Sequence, residues 1–217
     1  MVIKPNLLII LDGFGYSEKK KYNAIYLSKS KVIKWFNEYP SCLLKSSGTA
    51  VGLLDGMIGN SEVGHLTIGS GRIIKQPVSL LHDKILDESF FKNEKILNLL
   101  NILKERDGKL HLMGLLSDAG VHSNDEILFA LIKLASRVGL KKVIIHAFTD
   151  GRDVPPKSAA VYFEKLEKII KQYQLGTIGS IHGRFYAMDR DKNWTRTEKA
   201  YNVLTKKIEP HFYNWQQ

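Results

Sequence analysis

Apolar runs and helix-period stretches take turns along most of this chain. Residues 7–11, 42–45, 110–116, 143–148 and 177–181 read as strands. Several are continuous apolar runs without period-two alternation, the pattern of strands covered on both faces in a parallel sheet. Residues 23–37, 78–86, 94–104, 125–138, 157–173 and 195–206 read as helices. In the fourth of these, Ile127, Ala130, Leu131, Leu134 and Ala135 follow three- and four-residue spacing behind Asn124, a good N-cap, so the helix has one buried stripe. Strands alternating with helices predict an α/β architecture. A boundary falls near residues 72–77, where Gly69-Ser70-Gly71-Arg72 closes a glycine-rich segment and Gln76-Pro77 starts a new helical pattern. The chain is thus expected to divide into residues 1–76 and 77–217.

Composition narrows the function classes. With 44% hydrophobic and 25% charged residues over 217 positions, the chain is neither disordered nor membrane-like, and it can bury a real core. No apolar run approaches the roughly eighteen residues of a spanning helix. The stretch before the first apolar run is too short for a signal peptide, so a cytoplasmic location is expected. The single cysteine, Cys42, can close no intrachain disulfide and no thiolate zinc site, and Ser41-Cys42-Leu43-Leu44 reads as a buried strand. The formal charge is +10, yet the lysines stand in separate short runs (19–21, 141–142, 206–207) without any RNA-binding or zinc-finger signature. That pattern argues against nucleic acid and for a positive field that draws in a small phosphorylated anion.

Five segments carry candidate chemistry. Asp12 closes the first apolar run, and Gly13 and Gly15 let the backbone turn beside a ligand. A carboxylate there either holds a divalent cation or caps its own turn. Ser61 lies in Gly59-Asn60-Ser61-Glu62-Val63-Gly64-His65 with no base beside it in sequence, so a metal is the simplest way to activate its hydroxyl. A helix starting near Glu62 would aim free amides at a phosphate, and the alternative is a plain serine N-cap. His65 is a ligand or, preferably on sequence alone, a packed side chain.

The other three segments follow strands: 117–124 with His122, 146–156 with Arg152 and Asp153, and 183–191 with Arg184 and Arg190. Imidazole and guanidinium groups on strand-end loops make an anion cradle, with Asp153 free to accept from a hydroxyl. The competing assignments are turn caps for Asp150 and Asp153, a surface pair of Arg190 with Asp189 or Asp191, core packing for Met188, and a hydrogen-bonded core position for His146.

Taken in order, Asp12-Gly13-Phe14-Gly15, the Gly59-to-His65 run and the segments 117–124, 146–156 and 183–191 closely resemble the cofactor-independent phosphoglycerate mutases. The likeness extends to about Tyr201, departing at Ala119, Asn124, Asn193 and Thr195. It implies an alkaline-phosphatase-like parallel-sheet domain, here its first part only, interrupted by an α/β transferase domain. It also implies an isomerase of glycolysis and gluconeogenesis that interconverts 3-phosphoglycerate and 2-phosphoglycerate through a phosphoserine, with two divalent ions of manganese type. By that likeness Ser61 is nucleophile and metal ligand, Asp12 a ligand of the same ion, and His122, Arg152, Asp153, Arg184 and Arg190 bind substrate. Family chains are longer, with further ligands in their carboxy-terminal portion. The 217 residues are therefore expected to be an amino-terminal portion without mutase activity of its own, lacking a partner half. Two alternatives are a non-catalytic chain that binds phosphoglycerate or complements a half-chain, and a metal-dependent phosphatase of the same superfamily.

Overall fold

A computed structural model describes residues 5–206 and 214–216. The segment 207–213 and Gln217, which hold much of the aromatic tail, lie outside the described residues, as do the first four positions. The chain forms two compact units, residues 1–76 and 77–217.

The second unit carries the sheet. Strands β1 (Leu110–Leu115), β2 (Val143–Thr149) and β3 (Thr177–Gly183) lie in the order β1-β2-β3, all parallel. Helices α6 (Asp125–Val138) and α7 (Ala159–Tyr173) make the two crossovers. Both crossovers step the same way across the sheet, and right-handed connections therefore put both helices on one face. That face supplies the core: Val143, Ile145 and Ala147 of β2 pack with Ile132 and Leu134 of α6 and Phe163 and Leu166 of α7. Helices α4 (Pro77–Leu86) and α5 (Glu94–Glu105) add to it through Leu81, Ile85 and Leu100. The short α8 (Arg184–Ala187) follows β3 directly, and α9 (Trp194–Thr205) ends the described run. Trp215 stacks on Phe163 and donates to Glu167 at 2.7 Å.

Every strand and helix expected beyond residue 77 forms within a residue or two of its anticipated bounds. The buried side chain of Asn124 caps α6 by accepting from the Glu126 amide at 2.9 Å.

The first unit departs from expectation. It holds α1 (Ala24–Leu27), α2 (Lys31–Glu38) and α3 (Ser61–Ser70), plus a short 3-10 turn at Gly48–Val51. The helix expected over 23–37 is broken, because Lys29 takes a positive φ of 50° and Ser30 caps a fresh start by accepting from Val32. The strands expected at 7–11 and 42–45 do not form, and Cys42 is exposed rather than buried. A buried parallel strand needs neighbours for its backbone groups and for both faces, and no strand pairs with either segment among the described residues. Leu7 and Leu8 accordingly stand in the open, 85% and 73% exposed. The α/β class holds, with the parallel sheet observed in residues 77–217. What packs in the first unit is small: Val51, Leu53 and Val63, around a backbone bond from Gln76 to Gly52.

Candidate functional site

In the first unit, α3 starts at Ser61 because Asn60 caps it, its side chain accepting from the Val63 amide at 3.1 Å. The first helical residue therefore presents its hydroxyl beside the free amides of a helix N-terminus, where an anion is favoured. The Ser61 hydroxyl donates to Asp12 Oδ2 at 2.7 Å, across 49 residues of sequence. His65, one turn on, approaches the same residue: its Nδ1 lies 2.8 Å from the Ser61 carbonyl and 3.2 Å from the Ser61 hydroxyl oxygen. A carbonyl only accepts, which assigns a proton to Nδ1. In this geometry His65 is no base for Ser61; the carboxylate is the acceptor. His65 is exposed and hydrogen-bonded, not packed. Its i,i+4 spacing from Ser61 on a helix was the available signal.

Asp12 and Ser61 bring two hard oxygen donors within ligand-sharing distance, a set that suits a divalent cation. Among the described residues, no three His, Cys, Asp or Glu side chains gather as a fuller ligand set.

In the second unit, three strand-end segments converge on Asp150. Its side chain is only 1% exposed. Arg184, the first residue of α8, donates Nη1 to Asp150 Oδ1 at 2.7 Å and to Asp153 Oδ2 at 2.6 Å. Ser117, beyond β1, donates its hydroxyl to Asp150 Oδ2 at 2.8 Å. The amides of Arg152 and Asp153 donate to Asp150 Oδ1 at 3.1 and 3.0 Å. Burial alone would raise the Asp150 pKa, but the Asp153 amide, Arg184, the Ser117 hydroxyl and the Arg152 amide together bring it below its ordinary value. Burial likewise works against the Arg184 charge, and its bonds to Asp153 and Asp150 more than restore it.

Of the residues singled out by sequence in this unit, Asp153 and Arg184 meet directly, and His122 Nε2 stands 3.9 Å from Asp153 Oδ2. Arg152 is tied in by its backbone with its side chain exposed, and Arg190 is exposed on the segment between α8 and α9. Asp189 pairs not with Arg190 but with Arg196, at 3.1 Å, because one turn of α9 carries Arg196 back over it. Asp150 is more than the turn cap that sequence allows, since it also binds a hydroxyl and a guanidinium from two other loops.

A second network joins the same region through Asp118, next to Ser117. Tyr162 of α7 donates to Asp118 at 2.7 Å, and Lys165 reaches Asp118 at 3.3 Å and the buried Asp125 at 3.5 Å. Burial, and then the bond to Asp118, push the Tyr162 pKa up to about 12. On the sheet face away from α6 and α7, His111, His146, Ser180 and His182 form a ladder with steps of 2.9, 2.8 and 3.2 Å. His146 is thus a hydrogen-bonded sheet residue, with its pKa lowered by burial and then by His111.

Comparison with known proteins places most of the chain beside one enzyme family. The sequence profile of the family described as "BPG-independent PGAM N-terminus" matches residues 81–216. The 2,3-bisphosphoglycerate-independent phosphoglycerate mutase of Clostridium novyi (strain NT) is 50% identical over 205 residues, covering 94% of this chain and 40% of the relative. An enzyme of the same name, numbered 1, from Methanosarcina barkeri is 50% identical over 209 residues, 96% of this chain and 40% of its own. Crystal structures of Leishmania mexicana phosphoglycerate mutase at low cobalt concentration superpose with a TM-score of 0.75 at 33% identity, over 89% of this chain and 37% of that one. The chain spans about two fifths of the length of the curated relatives it matches.

Proposed function

The chain belongs to the cofactor-independent phosphoglycerate mutases, matching their amino-terminal region, and from that premise we propose that it carries the phosphoryl acceptor and the glycerate clamp for interconverting 3-phosphoglycerate and 2-phosphoglycerate. The hydrogen bond from Ser61 to Asp12 at 2.7 Å, at the start of α3, is the observation that supports this most strongly. A serine hydroxyl aimed at a carboxylate beside free helix amides suits phosphoryl transfer better than it suits a plain cap.

The Ser61 oxygen attacks phosphorus, forming the Oγ–P bond as the bond to the C3 oxygen breaks, and its proton leaves toward the Asp12 carboxylate. The departing C3 oxygen takes up a proton to leave glycerate. In the return step the C2 hydroxyl attacks the phosphoserine, the bond from the C2 oxygen to phosphorus forming as the Oγ–P bond breaks, and the proton that this hydroxyl loses balances the one that the Ser61 oxygen regains. His122, Arg152, Asp153, Arg184 and Arg190 hold the glycerate between the two steps. Of these, Arg184 is best placed: both hydrogens on Nη1 are taken by Asp150 and Asp153, which leaves Nε and Nη2 as a forked edge for an anion.

Asp12 and Ser61 would hold one of two divalent ions, of manganese type, which when bound lowers the serine pKa and neutralises phosphoryl charge. That the Leishmania mexicana structures are described as at low cobalt concentration supports a divalent ion in this family. Two oxygen donors hold such an ion weakly, so further ligands come from the part of the relatives' chains that lies beyond the matched region. The 217 residues by themselves would then bind phosphoglycerate without turning it over. This reaction class also fits a cytoplasmic enzyme of glycolysis and gluconeogenesis.

The test combines the purified 217-residue chain with the remaining portion of the Clostridium novyi enzyme and follows formation of 2-phosphoglycerate with manganese present. Turnover is expected in the mixture and lost with Ser61→Ala. Release of free phosphate without isomerisation would assign a phosphatase instead. Metal-dependent isomerisation by the chain alone would overturn the need for outside ligands.

A further inference from the structure

We infer that Asp150 is a positioning residue whose carboxylate, rather than the ligand, sets the arrangement of Arg184 and the Arg152–Asp153 turn that receives phosphoglycerate. The inference rests on the function proposed above and deepens it.

A side chain only 1% exposed touches no ligand, so whatever Asp150 does passes through its neighbours. Those neighbours come from the ends of all three strands: Ser117 after β1, Arg152 and Asp153 after β2, Arg184 after β3. An Asp that merely closes its own turn accepts from amides two and three residues on, which accounts for one oxygen only. It does not account for the Ser117 hydroxyl on Oδ2 or for the Arg184 guanidinium on Oδ1. The carboxylate is therefore a shared anchor for loops that are distant in sequence.

Asp153 also grips Arg184, yet it plays a different part. Its side chain is 17% exposed and lies 3.9 Å from His122, so it can turn to a substrate hydroxyl. If it does so, Asp150 is the acid that still fixes the guanidinium plane. Without that anchor, Arg184 loses the orientation in which Nη1 is held by carboxylates and Nε and Nη2 remain together as a bidentate edge. Groups that orient a binding residue through a buried hydrogen bond contribute to affinity without any contact of their own.

The test uses the 217-residue chain, its Asp150→Asn variant and its Ser117→Ala variant. Binding of 3-phosphoglycerate is measured by calorimetry, and hydrogen exchange of the Arg184 guanidinium is followed by NMR, with its signal assigned by Arg184→Lys. Asp150→Asn is expected to keep the parent circular dichroism, to weaken binding about 10- to 100-fold and to lose protection at Arg184. A purely structural role for Asp150 would lower the melting temperature yet leave the affinity of the folded molecules and the Arg184 protection unchanged, and that result would overturn the inference. Should Asp150→Asn not fold, Ser117→Ala decides: about a fivefold loss supports the inference, and unchanged affinity with unchanged protection overturns it. No binding by the parent sinks the proposed function and this inference with it, whereas parent binding matched by Asp150→Asn sinks this inference alone.

Discussion

Replacing Arg184 with methionine tests the buried charge cluster directly. The substitution keeps much of the aliphatic bulk and removes the only side-chain cation bonded to Asp150 among the described contacts. Stripping one partner from a fully buried pair costs about 3–5 kcal/mol. Here the figure is smaller, because Arg184 and Asp153 retain 12% and 17% exposure and Asp150 keeps Ser117 and two backbone amides. A loss of about 2–3 kcal/mol is therefore expected, or roughly 6–9 °C in melting temperature for a unit of this size. The pH dependence follows from Asp150. In the folded parent its pKa lies below the ordinary 3.8, so its contribution is complete above that value and is lost as pH falls through the lower folded value. Arg184→Met removes one cause of that depression. The gap between parent and variant is then widest near neutrality and narrows below pH 3.8. Thermal unfolding followed by circular dichroism across this range reads both quantities. A variant melting within about 1 °C of the parent at neutral pH, or a gap that stays constant on acidification, would refute the assignment of the cluster.

Asp125 offers the opposite sign. Burial raises its pKa, with Lys165 at 3.5 Å offsetting only part, so its ionisation costs stability as pH rises above 3.8. Asp125→Asn should leave the denaturant midpoint at neutral pH equal or higher, and a loss beyond about 1 kcal/mol would contradict this. Tyr162→Phe should cost about 1 kcal/mol through the lost bond to Asp118, and an ultraviolet titration should lose a phenol that ionises near pH 12 in the parent. Gly59→Ala would drive a methyl group into the Ser46 carbonyl, just ahead of the α3 cap. The amide spectrum of residues near Ser46 and Ser61 should shift in that variant, and an unchanged spectrum would show that the close approach is not there.

Local chemistry made much of the second unit legible. Asn124 followed by an apolar stripe announced α6, and the run at 143–148, apolar apart from His146, announced β2, because both elements answer to neighbours close in sequence or to burial on every side. The first unit was harder to read for the same reason reversed. Leu7 to Leu11 have the composition of a buried strand, but composition supplies no hydrogen-bonding neighbour, and the segment stays open. Lys29 adopts left-handed backbone that nothing in its side chain advertises, and that cut short the helix expected from residue 23.

The candidate chemistry divides along a similar line. Residue type and spacing singled out Asp12, Ser61, His122, Arg152, Asp153, Arg184 and Arg190 as candidates for handling an anion, with turn caps and surface pairs as the competing uses. Partnership was not readable. That Ser61 faces Asp12, that Asp189 takes Arg196, and that Asp150 gathers three loops all depend on chain segments meeting in space. The sequence by itself determined which groups are present and which elements carry them, because propensity and periodicity act over a few residues. Only the tertiary structure decided which carboxylate serves each donor, because hydrogen bonds reward distance and angle and are indifferent to separation along the chain.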